Sequence, residues 1–359
     1  MRAMHGVMCG WLAASCCLVS LTAGAQRASS LKQCRLARWD VPAAEYSGIA
    51  SLGDGRYALI SDKQNGFYPL SLQFSSRNGR LLRAERGALK ETGKTGTLPE
   101  VPLRDCEGVA YCPSSQSLYI SGEADQRILE YDTLGRLTGR ELQVPHRMGR
   151  EAIYGNYGFE ALAYDHSRRC FWTTTESCLR ADGKPAGPSH RVRNLLRLQT
   201  FGEDGRPGTQ YAYEMDLPVA RKAGRHYVYG VSALTVLPDG RLVVLEREVY
   251  IARRYVGSWA QVNLFVVDPS QGHPLPPDGK AEEARSLALS KRCLLSFRTR
   301  ITPVSCRLAN YEGLCVGPRL DDGRLTLLLV SDSQGGAGKG RVRLQDYLKV
   351  VVLPSDGTF

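Results

Sequence analysis

Beyond its first thirty residues, this 359-residue chain has no apolar run long enough to cross a bilayer. It has no CxxC pair and no Cys/His spacing suited to zinc. Histidine is scarce, with six in all; His5 lies near the start, and neither His146 nor His226 has metal-ligand spacing. Ser232, in YGVSAL, lacks the second glycine of a nucleophile elbow. In GGAGKG (335–340), Ser333 stands where a phosphate loop needs its first glycine, and Gly340 where it needs Ser or Thr. These absences argue against a zinc hydrolase, a P-loop nucleotide enzyme and covalent catalysis by a nucleophile–base pair. No segment sustains a helical period except the short AEEARSLALS (281–290), so the expected fold class is all-β.

The chain opens with a basic residue (Arg2), an apolar run from about Val7 to Leu21, and a small-residue exit at Ala23-Gly24-Ala25. That pattern predicts a signal peptide over residues 1–25 and a single exported domain, periplasmic or secreted, over 26–359. Cleavage would remove one charge, Arg2, taking the formal balance from +11 to +10. A basic exported protein suits anionic partners such as a phosphate ester or an envelope polymer. Nucleic acid is not indicated, because the Lys and Arg are spread along the chain; the densest cluster, RKAGRHY (221–227), reads as a solvated loop.

Of eleven cysteines, three fall in the leader and eight remain, an even number that in an exported chain predicts disulfides. Sequence leaves the connectivity open. Short separations favour Cys106–Cys112, Cys170–Cys178 and Cys293–Cys306, leaving Cys34 with Cys315, one near each end.

A repeat runs through the chain at uneven spacing. It reads YSGIASLGDGRYALISD (46–62), CEGVAYCPSSQSLYISGE (106–123), FEALAYDHSRRCFWTTTE (159–176), VSALTVLPDGRLVVLE (231–246) and YEGLCVGPRLDDGRLTLLLVSD (311–332). Each unit starts with Glu or Ser, then Gly or Ala, and passes through a turn into a second apolar run ending in Asp or Glu. Asp-Gly turns at 54–55, 239–240 and 322–323 are hairpin signals. From Gly48 to Gly108, Ala161, Ala233 and Gly313 the intervals are 60, 53, 72 and 80 residues, which suits four-stranded propeller blades carrying insertions. Five units are visible, and the insertions leave room for one more; the expectation is six blades, with five as the fallback. Strands from both ends sharing a blade would agree with a Cys34–Cys315 bond.

The ordered motifs EGVAY…LYISGE, FEALAYD…TTTE, GVSALTVLPDGRLVVLERE and NYEGLCVGP…DDGRLTLLLVSD closely resemble the phytase-like propeller family, described as having esterase-like activity of phytase. The likeness spans roughly 45–350. It implies an exported β-propeller acting on phosphate esters. The stretch SDSQGGAGKGR (331–341) departs from the family, whose members more often carry an Asn/Phe-containing segment there.

Hairpin geometry brings the start of each unit beside its end. Glu107, Glu160 and Glu312, with Ser47 and Ser232, should therefore form one set at a mouth of the central channel. Asp62, Glu123, Glu176, Glu246 and Asp332 should form a second set nearby. Eight carboxylates in ten positions repel and raise one another's pKa values unless a cation intervenes. All-oxygen donors suit Ca²⁺, so all eight are metal candidates. Glu107, Glu160, Glu312 and Arg247 are ligand or substrate candidates, with Arg247 set either to meet phosphate or to pair with the acids. Two readings stay open: a Ca²⁺-assisted phosphoester hydrolase or esterase, and a non-catalytic propeller whose acids are structural. The inserts at 180–193 and 269–281 favour the second.

Overall fold

The computed structural model describes residues 28–91, 102–276, 279–336 and 343–355. The expected leader lies outside them. Five antiparallel sheets follow one another along the chain. Blade 1 runs through Tyr46–Gly53, Arg56–Ser61, Gly66–Phe74 and Leu81–Arg86. Blade 2 uses Cys106–Cys112, Ser117–Gly122, Arg127–Tyr131 and Leu137–Leu142, and blade 3 uses Phe159–Asp165, Cys170–Thr175, Leu195–Gly202 and Pro207–Glu214. Blade 4 is longer, with His226–Val236, Leu242–Ile251, Trp259–Val267 and Lys291–Thr302. In blade 5, Asn310–Val316, Thr326–Asp332 and Tyr347–Val352 are completed by the N-terminal strands Ser29–Ser30 and Cys34–Arg35, both paired with Tyr347–Val352.

Five apolar clusters fill the five gaps between blades. Ala161, Trp172 and Leu198 of blade 3 pack on Val231, Leu234 and Val244 of blade 4. Leu328 and Val330 of blade 5 pack on Tyr46, Ile49 and Leu59 of blade 1, which closes the ring. The blade count is therefore five, not six. The long intervals read as room for another blade are spent on strands of 10 to 12 residues in blade 4 and on loops. Part of one loop is the short helix Ala281–Ser286, whose Ala284 packs on Leu195 and Ala212. At the Asp54-Gly55 turn both residues have positive φ, 54° and 72°, the conformation a two-residue hairpin with right-handed twist requires.

The structure joins none of the eight described cysteines, contrary to expectation. Cys106 and Cys112 sit at opposite ends of one strand, about 20 Å apart at the usual rise per residue, far beyond disulfide reach. Cys170 opens a strand and Cys178 lies past its end. Cys293 pairs with Phe265, whereas Cys306 pairs with Ile301 near the far end of the same long strand. Cys34 pairs with Leu348 on the third strand of blade 5, whereas Cys315 lies on the innermost strand. Alkylation of the unfolded, unreduced protein should consequently label all eight of these thiols, as counted by mass spectrometry.

The small residue after each Glu or Ser has a packing cause. A Cβ on Gly48 would lie 2.7 Å from the backbone O of Glu107, and one on Gly108 would lie 2.5 Å from that of Glu160. Each inner strand thus touches the backbone of the next. Gly108→Ala should cost about 1–3 kcal/mol in a denaturant titration, because the blades must part to admit a methyl group.

Candidate active site at the acidic mouth

All five inner strands carry a break in register at the same place. It falls between Tyr46 and Gly48, Cys106 and Val109, Phe159 and Ala161, Val231 and Ala233, and Tyr311 and Gly313. A bulge leaves its extra residue unpaired and re-aims its side chain. The residues so released are Ser47, Glu107, Glu160, Ser232 and Glu312, the first set expected from sequence. The two serines act between blades: Ser47 donates to the carbonyl of Cys106, and Ser232 to that of Tyr311 at 3.1 Å.

Register corrects the second set. Opposite the residue before each bulge stand Ser61, Gly122, Thr175, Glu246 and Ser331. The position after these is occupied by Asp62, Glu123, Glu176, Arg247 and Asp332. Arg247, not Glu246, is therefore the fifth member. Glu246 is fully buried within the protein, where it accepts from Tyr213 (2.7 Å), Tyr229 (3.0 Å) and Lys291 (2.6 Å). The two sets together hold seven carboxylates and one arginine.

Arg247 is 5% exposed and bonds across the channel. Its Nη2 lies 3.2 Å from Glu160 and 3.0 Å from Glu176, and its Nη1 3.2 Å from Glu312 and 3.0 Å from Asn310 Oδ1. Burial works against its charge, but the surrounding glutamates, Glu160 foremost, outweigh that and hold the guanidinium protonated. One cation does not balance the acids. Burial, reinforced by neighbouring carboxylates, pushes Glu107 and Glu160 well above the usual carboxylate range. Burial also raises Glu312 well above it, against the pull of Arg247. Glu176 is pushed up to about 7, with burial the main cause and Arg247 opposing it.

Away from Arg247, one carboxylate oxygen each from Asp105, Glu107 and Glu123 lies within 4.8 Å of the others. All three are partly open to solvent. Their support is rigid. Asp105 adopts φ 55° and its carbonyl accepts the N–H of Glu123 at 2.8 Å, while Glu123 Oε1 accepts from the N–H of Gly158 at 3.1 Å. The preceding Arg104, 3% exposed, is fixed by Asp125 at 2.6 Å and Tyr131 at 3.0 Å. Asp105 was missed from sequence, although it stands two residues before Glu107 and alternation places both on one side of the chain.

Asp62 and Asp332 occupy another sector. Asp62 pairs with Lys63 at 2.8 Å, and Lys63 reaches Glu45 at 3.2 Å. Asp332 accepts the N–H of Gln334 at 2.6 Å. Burial raises both acids to about 6. The other end of the channel has a different chemistry: a hollow of about 930 Å³ lined by Val109, Leu162, Leu234, Leu314 and their neighbours. None of the described residues lining this hollow is an acid.

The profile of the phytase-like family, described as esterase-like activity of phytase, matches residues 41–334. The chain belongs to this family. No curated protein matches it. Among solved structures, this phytase-like chain is similar to a luciferin-regenerating enzyme, at 10% identity and TM-score 0.42, covering 90% of this chain and 97% of the other. It is similar also to the PQQ-bound aldose sugar dehydrogenase of Streptomyces coelicolor, at 13% identity and TM-score 0.38, covering 90% and 98%. A virginiamycin B lyase from Staphylococcus aureus matches at 10% identity and TM-score 0.35, covering 90% and 99%. Likenesses this distant say nothing about what the acidic mouth does. Among the described residues, no helix is long and apolar enough to cross a membrane.

Proposed function

We propose that this phytase-like propeller is an exported ester hydrolase that binds a divalent cation at Asp105, Glu107 and Glu123 and acts on phosphate or carboxylate esters. The observation that carries the reading is this trio of converging carboxylates, beside an acid ring that Arg247 only partly neutralises. The donors are all oxygen and sit on a rigid corner, which suits Ca²⁺. A bound cation would polarise a phosphoryl or carbonyl oxygen. The chain's own part is to hold and move protons. Glu312 is partly open, and burial raises its pKa above the usual carboxylate range against the pull of Arg247, which suits it to protonate a leaving-group oxygen. Arg247 holds the facing carboxylates in place.

Calorimetric Ca²⁺ titration and hydrolysis of p-nitrophenyl phosphate and p-nitrophenyl acetate test the proposal. Wild type should bind one ion, and Glu107→Gln and Glu123→Gln should each weaken binding by about 10–100-fold. Hydrolysis should stop with chelator and return with added Ca²⁺. If the folded Glu107→Gln/Glu123→Gln protein binds the ion as wild type does, the site is wrongly placed.

A second reading has its own support. Arg247 already ties Glu160, Glu176 and Glu312 together, and Ser47 and Ser232 bond neighbouring blades. On that reading the ring is structural and the loops recognise an envelope partner. Wild type that binds no ion and cleaves neither ester would favour it.

A further inference from the structure

Several exposed arginines of this protein have an acid beside them. Arg127 pairs with Glu141, Arg136 with Asp132, Arg169 with Glu203 and Arg285 with Glu214. The seam where blade 5 closes on blade 1 differs. There the N-terminal strands pass into the turn Leu36–Trp39, leaving a groove of about 640 Å³ against Asn78, Arg80, Leu81 and Leu82 of blade 1. A contiguous hollow of about 330 Å³ shares Lys32, Cys34 and Arg38 with it and adds Arg35 and Arg307. No acid lines either space, and among the described residues Lys32, Arg35, Arg38, Arg80 and Arg307 form no ion pair. Five uncompensated cations at one seam make a local field that attracts anions.

The floor between them is apolar: Leu31, Leu82, Val350 and the ring of Trp39, over which the Arg38 guanidinium lies at 5.6 Å. Leu82 is 50% exposed although it lies in a concave surface. The walls are fixed. Trp39 Nε1 donates to the carbonyl of Leu82 at 3.1 Å, Lys349 Nζ to that of Leu31 at 2.8 Å, and Gln33 Nε2 to that of Arg307 at 3.1 Å. A volume of this size is in the range of small-molecule sites. A purely ionic ligand would leave the floor wet, and a neutral apolar one would leave the cations unanswered.

We propose that this seam binds a single-chain anionic lipid, with its phosphate head among Lys32, Arg38 and Arg80 and its acyl chain over Leu31, Trp39, Leu82 and Val350. The site is separate from the acidic mouth and does not depend on a cation there.

Quenching of Trp39 by lysophosphatidylglycerol with a brominated chain, below its micelle concentration, tests this. Saturable quenching is expected, with lysophosphatidylcholine of the same chain at least about tenfold weaker. Removing two methylenes should weaken binding by roughly tenfold. Arg38→Ser/Arg80→Ser should lose the preference for the anionic head while its thermal unfolding stays that of wild type. Trp39→Phe should abolish most of the quenching. Equal binding of both head groups, or wild-type binding by Arg38→Ser/Arg80→Ser, would overturn the proposal. So would undiminished quenching in Trp39→Phe. Glycerol phosphate that displaces the lipid at similar concentration would show a head-only anion site and would equally overturn it.

Discussion

Replacing Arg247 by methionine should destabilise the protein by about 3–5 kcal/mol at pH 7.5, the usual consequence of removing one partner from a buried ionic network. The side chain is 5% exposed and meets Glu160, Glu176 and Glu312, so its loss leaves three carboxylates facing one another in the channel. The cost should depend on pH in a set direction. Without the guanidinium the folded-state pKa values of these acids rise further, so the folded variant takes up protons that wild type does not. The difference between variant and wild type should therefore shrink as pH falls toward 5. Arg247→Lys should be intermediate, because an ammonium keeps the charge but not the planar fork that spans three acids. Adding Glu160→Gln and Glu176→Gln to Arg247→Met should recover part of the loss. Urea titrations of this set at pH 5 and 7.5 measure all of these terms, and a pH-independent Arg247→Met cost would refute the network.

Asp346→Asn should act in the opposite sense and stabilise the protein by about 2 kcal/mol above pH 6. Asp346 is 6% exposed, and among the described residues neither of its carboxylate oxygens has a hydrogen-bond donor in good geometry. Burial pushes its pKa from 3.8 up to about 6, although Ser333 and the backbone N–H of Ala44 lie near enough to offset part of that. A rise of roughly two units corresponds to about 3 kcal/mol at most. The folded-state pKa is the higher one, so between pH 4 and 6 the folded state binds more protons than the unfolded chain. Stability then falls as pH rises through this window, and the full cost is present above it. Asparagine removes the charge, so the gain should be largest at pH 8 and vanish near pH 3.8. Melting curves at both pH values decide the matter; an equal gain at the two would mean that charge is not the cause.

The first acid set was legible because its residues recur at one place in the repeat, and a bulge at that place turns each of them out of the ladder. The second set was legible only to within one residue. Glu246 and Arg247 are neighbours on one strand, and alternation sends them to opposite sides; the pairing of Val231 with Glu246 decides which faces the channel, and pairing is not written in either residue. Asp105 escaped notice because the repeat was aligned on its glutamates, and the residue two positions earlier differs from blade to blade: Glu45, Asp105, Gly158, Gly230 and Asn310. Blade number failed for a related reason. Spacing measures chain length, and extra chain can lengthen strands as readily as add them. The cysteine pairs were drawn from proximity in sequence, whereas a strand carries nearby residues apart.

Blade 5 also sets an order of events for the growing chain. Ser29 and Ser30 pair with Val352 and Val351, and Lys349 bonds to the carbonyl of Leu31, 318 residues away. Ser29–Ser30 and Cys34–Arg35 therefore have no sheet partner until Tyr347–Val352 has been synthesised. Contacts of such range slow folding, because a long loop must close before they are gained. The nascent chain is left with an open ring and an exposed strand edge, the form most prone to pairing with a second copy. Emergence of Tyr347–Val352 is the event that closes the ring and covers that edge.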